Sequence, residues 1–129
     1  MKKALLIDDE ERMLELLALY LEPYQYDCRK ALGAKEGLQY IEEERFDIVL
    51  LDIMMPDMDG IAGIAQVKKC WPTIKIIAIF AGVEAVDKNK ALKAATLQGA
   101  DLTLAKPFTD DDMIATVDGL LDCQEAVAV

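Results

Sequence analysis

Apolar runs of strand length recur five times in this chain, at residues 3–7, 27–31, 48–51, 75–80 and 102–105, each separated from the next by a helix-length segment. This alternation restricts the topology more than any other feature. Strands joined through helices cross over and run parallel, and the connections are right-handed. Such a sheet carries helices on both faces. Three of the runs lack period-two alternation, as strands covered on both sides require. The expected architecture is a single α/β domain with five parallel strands, commonly in the order 2-1-3-4-5.

The intervening segments have helical spacing. Met13, Leu16, Leu17 and Tyr20 form the expected apolar stripe of a first helix. Ala34, Gly37, Leu38 and Ile41 repeat the pattern in a second. Ile61, Ile64 and Ala65 start a third, which Trp71-Pro72 ends. The fourth, over 84–98, has mostly alanine at its apolar positions. Thr109 is an expected N-cap for the fifth, with Asp112 completing a capping box and Met113, Val117, Leu120 and Leu121 as its stripe. The domain is expected over 1–122, with a loosely ordered tail over 123–129.

Composition excludes several function classes. The chain has 129 residues, suited to one compact domain, and is 53% hydrophobic, enough for a core. Its net charge of −10 repels nucleic-acid phosphates and anionic membranes, so neither is an expected partner. It has no histidine, and its three cysteines, Cys28, Cys70 and Cys123, are far apart in sequence, which excludes the usual zinc sites. Reduced thiols and a cytoplasmic location follow as the expectation. Acids at residues 8–11 interrupt the N-terminal apolar stretch before a signal peptide could form. The longest apolar run, 76–81, is too short to span a bilayer.

The strands end in charged groups. The first leads into Asp8-Asp9-Glu10-Glu11, the third into Asp52, and the fifth into Lys106-Pro107. Ligands of doubly wound sheets bind beyond the carboxyl ends of the strands, where the strand order reverses. Asp8, Asp9 and Asp52 fall there. Carboxylates about 5 Å apart repel by about 3 kcal/mol per pair at an effective dielectric near 20. A fold tolerates that with a cation, and Mg2+ prefers such oxygen donors. The competing reading is that Asp8 or Asp9 merely caps the first helix. An aspartate beside a metal can itself attack a phosphoryl group, with Lys106 neutralising charge.

These residues carry a resemblance. Asp8-Asp9, the stretch Leu50-Leu51-Asp52-Ile53-Met54-Met55-Pro56-Asp57-Met58-Asp59-Gly60, and Lys106-Pro107-Phe108 are similar, in order and spacing, to the receiver domain of two-component response regulators. The resemblance implies a flavodoxin-like fold with five strands and five helices. It implies that Asp52 accepts a phosphoryl group from a histidine kinase or phosphotransfer protein. It also implies Mg2+ held by Asp8, Asp9, Asp52 and the backbone carbonyl of Met54, with Asp9 the direct ligand and Lys106 paired with the phosphoryl oxygen. The output face would be the fourth helix, fifth strand and fifth helix.

Two positions depart from the family. Phe80 stands where a Ser or Thr is expected at the end of the fourth strand, followed by a small Ala81. Thr103 stands where the family has its aromatic switch residue. Either Phe80 fills the volume the missing aromatic leaves, or the output differs from the usual paired rotation. The output face sets Lys88, Lys90 and Lys93 beside Asp110, Asp111, Asp112 and Asp118, charges that could support a weak homodimer.

The expectation is therefore a stand-alone phosphoacceptor receiver whose output is a protein contact, not an enzyme beyond its own phosphorylation and dephosphorylation. A degenerate receiver acting as a phosphorylation-independent interaction module is the alternative. A phosphatase using an aspartyl intermediate fits less well, because Asp8-Asp9 is not Asp-x-Asp and no cap domain is present. A flavodoxin fits poorly, because its FMN phosphate would meet four acids.

Overall fold

The computed structural model describes residues 1–53, 60–80, 88–105 and 108–128 of the chain. Strands and helices alternate: β1 (Lys2–Ile7), α1 (Glu11–Leu21), β2 (Tyr26–Ala31), α2 (Ala34–Glu43), β3 (Ile48–Asp52), α3 (Gly60–Cys70), β4 (Lys75–Phe80), α4 (Lys88–Gln98), β5 (Leu102–Ala105) and α5 (Asp110–Ala128). All neighbouring strands pair in parallel, and the sheet order is β2-β1-β3-β4-β5, as expected from the alternation. The five strands match their expected positions to within one residue at each end.

Burial follows position in the sheet. β3 is buried at every residue, and β1 and β4 along nearly their whole length. β2 and β5 are the edges and expose part of their side chains. The central strands present apolar side chains to both faces. Leu5, Ile7, Val49, Leu51, Ile76 and Ala78 pack towards α2, α3 and α4. Ala4, Leu6, Ile48, Leu50, Ile77 and Ile79 pack towards α1 and α5. Burying each large aliphatic chain contributes about 1.5–3 kcal/mol, which is why the parallel sheet holds.

Three details differ from expectation. In α1 the buried residues are Leu14, Leu17, Ala18 and Leu21, while Met13 and Tyr20 sit at the margin of the core. The helix is apolar at so many positions that two stripes fit the same spacing, and packing against Leu6 and Leu50 selects the second. Leu19, also apolar, is left 67% exposed. The boundary placed after Asp122 falls inside α5, whose helical backbone continues through Ala128. Asp118, grouped with the acids of the output face, instead accepts a hydrogen bond from the hydroxyl of Tyr26 at the start of β2. One helix presents several faces, and Asp118 lies on the one turned towards β2.

Helix ends follow local chemistry. Thr109 and Asp112 form the expected reciprocal cap of α5: the Asp112 N–H donates to Thr109 Oγ1 at 3.0 Å, and the Thr109 N–H to Asp112 Oδ2 at 3.2 Å. α4 ends in a Schellman turn, with the Ala100 N–H donating to the Ala95 carbonyl and the Gly99 N–H to that of Thr96. Gly99 has φ of +123°, which a side chain would strain, and the stem of Lys68 fills the space a Cβ would need. Among the described residues, no helix is long and apolar enough to cross a membrane.

Candidate functional site

β1 and β3 are neighbours, with Ile7 beside Leu51, so one further step along both strands brings Asp8 to Asp52. The side chains of Asp8, Asp9 and Asp52 each offer an oxygen, and the three oxygens lie within 4.8 Å of one another. Asp8 and Asp52 are buried, 1% and 4% exposed, and Asp9 is exposed. The expected convergence at the switch between strand orders is therefore present.

Local bonds fix the cluster. The backbone N–H of Asp8 donates to the Ala31 carbonyl at the end of β2, 3.2 Å away. Asp8 Oδ1 accepts the N–H of Glu10 at 2.9 Å, an Asx turn that folds the acidic loop back on itself. On the other strand, the Ile53 N–H donates to the Ile79 carbonyl at 3.0 Å, extending the ladder one residue past Asp52. Glu10 is the N-cap of α1, and its own side chain makes no cap hydrogen bond. Asp8, Asp9 and Asp52 are gathered at the strand ends, and Asp8 also holds the turn that enters α1.

The donor set suits a hard cation. Three carboxylate oxygens with one exposed member leave room for waters and a further oxygen ligand, as Mg2+ prefers. Burial, with Glu22 and Asp27 adding, pushes the Cys28 thiol up to about 12 and keeps it protonated. Two clefts, of about 330 Å3 and 360 Å3, lie elsewhere, one between the end of α2 and Trp71 and one between β5 and α5.

Of the other expected site residues, Met54, Ala81 and Lys106 lie outside the described residues. Phe80 is 5% exposed and belongs to the core on the α3–α4 side, together with Ala78, Ala95 and Ala100. Thr103 pairs with Ala78, and Ala105 with Phe80, so Phe80 and Thr103 share a sheet face one pair apart. Two supports of the site, the Asx turn and the bond to the Ala31 carbonyl, add to the expected residues. The Asx turn has a local signature, an aspartate two residues before the N-cap, and could have been read. The Ala31 carbonyl could not, because it depends on strand register.

The comparisons agree with this geometry. A family model described as the response regulator receiver domain matches residues 4–118. A transcriptional regulatory protein CpxR homolog of Haemophilus influenzae is 35% identical over 121 residues, covering 94% of this chain and 51% of that protein. The alkaline phosphatase synthesis transcriptional regulatory protein PhoP of Bacillus subtilis is 35% identical over 127 residues, covering 98% and 51%. The chain thus spans about half the length of the curated relatives it matches. Among solved structures, a CheY-like receiver domain protein from Methanospirillum hungatei superposes with a TM-score of 0.89 at 30% identity, covering 98% of each chain. An acidic cluster at the β1–β3 switch, on a sheet ordered 2-1-3-4-5 and matched by that model over most of its length, makes this chain a member of the response regulator receiver-domain family.

Proposed function

We propose that the protein is a phosphoacceptor whose nucleophile is Asp52, supplied by a histidine kinase or phosphotransfer protein. The observation that carries this reading is the approach of the Asp8, Asp9 and Asp52 oxygens to within 4.8 Å at the ends of β1 and β3. An oxygen of Asp52 attacks phosphorus, the phosphorus–nitrogen bond to the donor imidazole breaks, and the nitrogen leaves with the electron pair. Asp8, Asp9, Asp52 and the Met54 carbonyl would hold Mg2+, which when bound neutralises charge on the transferred phosphoryl group. Burial at the end of β3 holds the Asp52 carboxylate in one orientation. Lys106 is assigned the charge partner of the phosphoryl oxygens. The protein acts in the cytoplasm and is not an enzyme beyond this self-modification.

Incubation with acetyl phosphate and Mg2+ tests the reading. Mass spectrometry should show a gain of one phosphoryl group, lost in Asp52→Ala. No gain, or a gain that survives the substitution, would reject it.

The output is a protein contact through α4, β5 and α5. Leu97 is 78% exposed and Leu102 40%, and Leu102, Thr103, Ala115, Thr116, Gly119 and Leu120 line the groove between β5 and α5. A weak homodimer through this face would use Lys93 and Asp110 to Asp112. The switch differs from the family's: Phe80 is packed among Ala78, Ala95 and Ala100 and has no hydroxyl to offer a phosphoryl oxygen. A hydrogen bond to a charged group is worth about 1.5–3 kcal/mol, so the signal is weakened and re-routed rather than abolished. NMR with a beryllofluoride mimic should show small shifts in α4 and β5; shifts as large as those around Asp52 would rule out a re-routed output.

A further inference from the structure

We infer that Gly37 is a positioning residue for the metal site, acting through Ile7 and the β2–α2 corner; the inference rests on the reading of Asp8, Asp9 and Asp52 as Mg2+ ligands. Gly37 lies in the first half of α2, on the side packed against the sheet. A Cβ there would stand 2.4 Å from Ile7 Cδ1 and 2.8 Å from Ile7 Cγ1, closer than any carbon pair tolerates. Ile7 must therefore shift or change rotamer to admit a Cβ. Any such change happens inside the core: Ile7 is 2% exposed, belongs to one buried cluster with Leu5, Ala31, Ala34 and Leu51, and is laddered on both sides, to Ala31 and to Leu51.

Two hydrogen bonds turn this close packing into control of the site. The Gly37 N–H donates to the Gly33 carbonyl at 3.0 Å, tying the first turn of α2 to the corner that leaves β2. Two residues before Gly33, the Ala31 carbonyl accepts the Asp8 N–H at 3.2 Å. Ile7 itself is the residue before Asp8. Any displacement of α2 or of Ile7 that makes room for a Cβ therefore reaches Asp8 from both directions, through its own chain and through the carbonyl that holds its backbone. The glycine lets α2 press on the strand that presents Asp8 and Asp9. Partners that orient metal ligands commonly change affinity by tenfold or more when altered.

The test is a Mg2+ titration followed by the amide NMR signals of Asp8, Asp9 and Ile53, on the wild-type protein, Gly37→Ala, Ile7→Val and the double variant. Alanine is the better helix former, so Gly37→Ala keeps α2 helical. Urea melts of each variant establish that the titrated protein is folded. Gly37→Ala should bind Mg2+ about tenfold more weakly, at the lower end of the effect of altering a ligand's partner. Ile7→Val removes the atom nearest the new methyl, so the double variant should recover to within about threefold of wild type, as partial relief of an overpacked contact allows. A purely structural role would lower the urea midpoint and leave the Mg2+ affinity of the folded protein unchanged. That outcome, or equal affinity in the double and Gly37→Ala variants, overturns the inference. Should Gly37→Ala not fold, Ile7→Leu, which rebranches the same contact with Gly37 intact, carries the test: unchanged Mg2+ affinity overturns the inference. If the wild-type protein itself binds no Mg2+ at these amides, the reading of the site fails, and this inference with it.

Discussion

At the N-terminal end of the sheet, opposite charges meet: Lys3 and Arg29 each lie 2.6 Å from a carboxylate oxygen of Glu44, and Lys68 lies 2.8 Å from Asp101. At the C-terminal end, three like charges are drawn within 4.8 Å. The first end ties elements together, β1 to the end of α2 and α3 to the start of β5. The second concentrates repulsion of about 3 kcal/mol per pair at an effective dielectric near 20, which a bound cation relieves. Paired charges and clustered like charges thus lie at opposite ends of the same sheet, the division expected where a functional site works against the fold that carries it.

The largest test of this contrast is cation linkage. A ligand that binds only the folded protein adds about 2.7 kcal/mol at a concentration one hundred times its Kd. Urea unfolding with Mg2+ at that excess should show the gain in the wild-type protein and lose it in Asp9→Ala, because Asp9 is the exposed carboxylate of the cluster. An equal gain in both proteins would mean that the cation acts elsewhere.

Asp101 tests the other end. Its Oδ2 accepts both the Ile76 N–H and the Lys68 ammonium at 2.8 Å, while its own N–H donates to the Ile76 carbonyl. Lys68 also donates to the Ile74 carbonyl at 2.8 Å. Asp101→Ala leaves a strand N–H without its acceptor and should cost about 2 kcal/mol. Mg2+ affinity should not change. A coupled loss of both would show that the two ends are not independent.

How much of this division was legible differs between the ends. The acidic end could be read because Asp8, Asp9 and Asp52 directly follow apolar runs, and parallel topology alone brings the ends of β1 and β3 together. The paired end could not. Lys3 and Glu44 are 41 residues apart in sequence, and their meeting depends on where α2 stops and how β1 registers with β3. The phase of α1 is ambiguous in the sequence for a related reason: Leu14-Leu17-Ala18-Leu21 and Met13-Leu16-Leu17-Tyr20 have the same spacing, and only the sheet beneath distinguishes them. The α5 cap was legible because Thr109 and Asp112 satisfy each other within one turn.

That cap also sharpens the contrast, because it places acids at the C-terminal end whose role is local. Thr109→Ala removes the acceptor for the Asp112 N–H and should cost about 1 kcal/mol with no change in Mg2+ affinity. Asp9→Ala should do the reverse. If Thr109→Ala weakened Mg2+ binding as well, the acids of the α5 cap and those of the strand ends would form one system.

The smallest effect concerns Glu44. The hydrogen bond from Lys3 holds its carboxyl below the usual glutamate range, and the charge of Arg29 lowers it further. Arg29 also covers the Tyr40 ring, 4.0 Å from its centroid, while its guanidinium donates to Glu44 at 2.6 Å. The sign of the linkage follows from a lowered folded-state value. The unfolded chain takes up the proton first as pH falls, so the contribution is present above the ordinary glutamate value and is lost as pH drops through the folded one. Because the pair is open to solvent, the change in stability should be slight. An NMR titration of the Glu44 carboxyl carbon is the sensitive readout. Lys3→Met should return its midpoint most of the way to the ordinary value, and Arg29→Met less. The opposite order would make β2, through Arg29, rather than β1, through Lys3, the strand that anchors the end of α2.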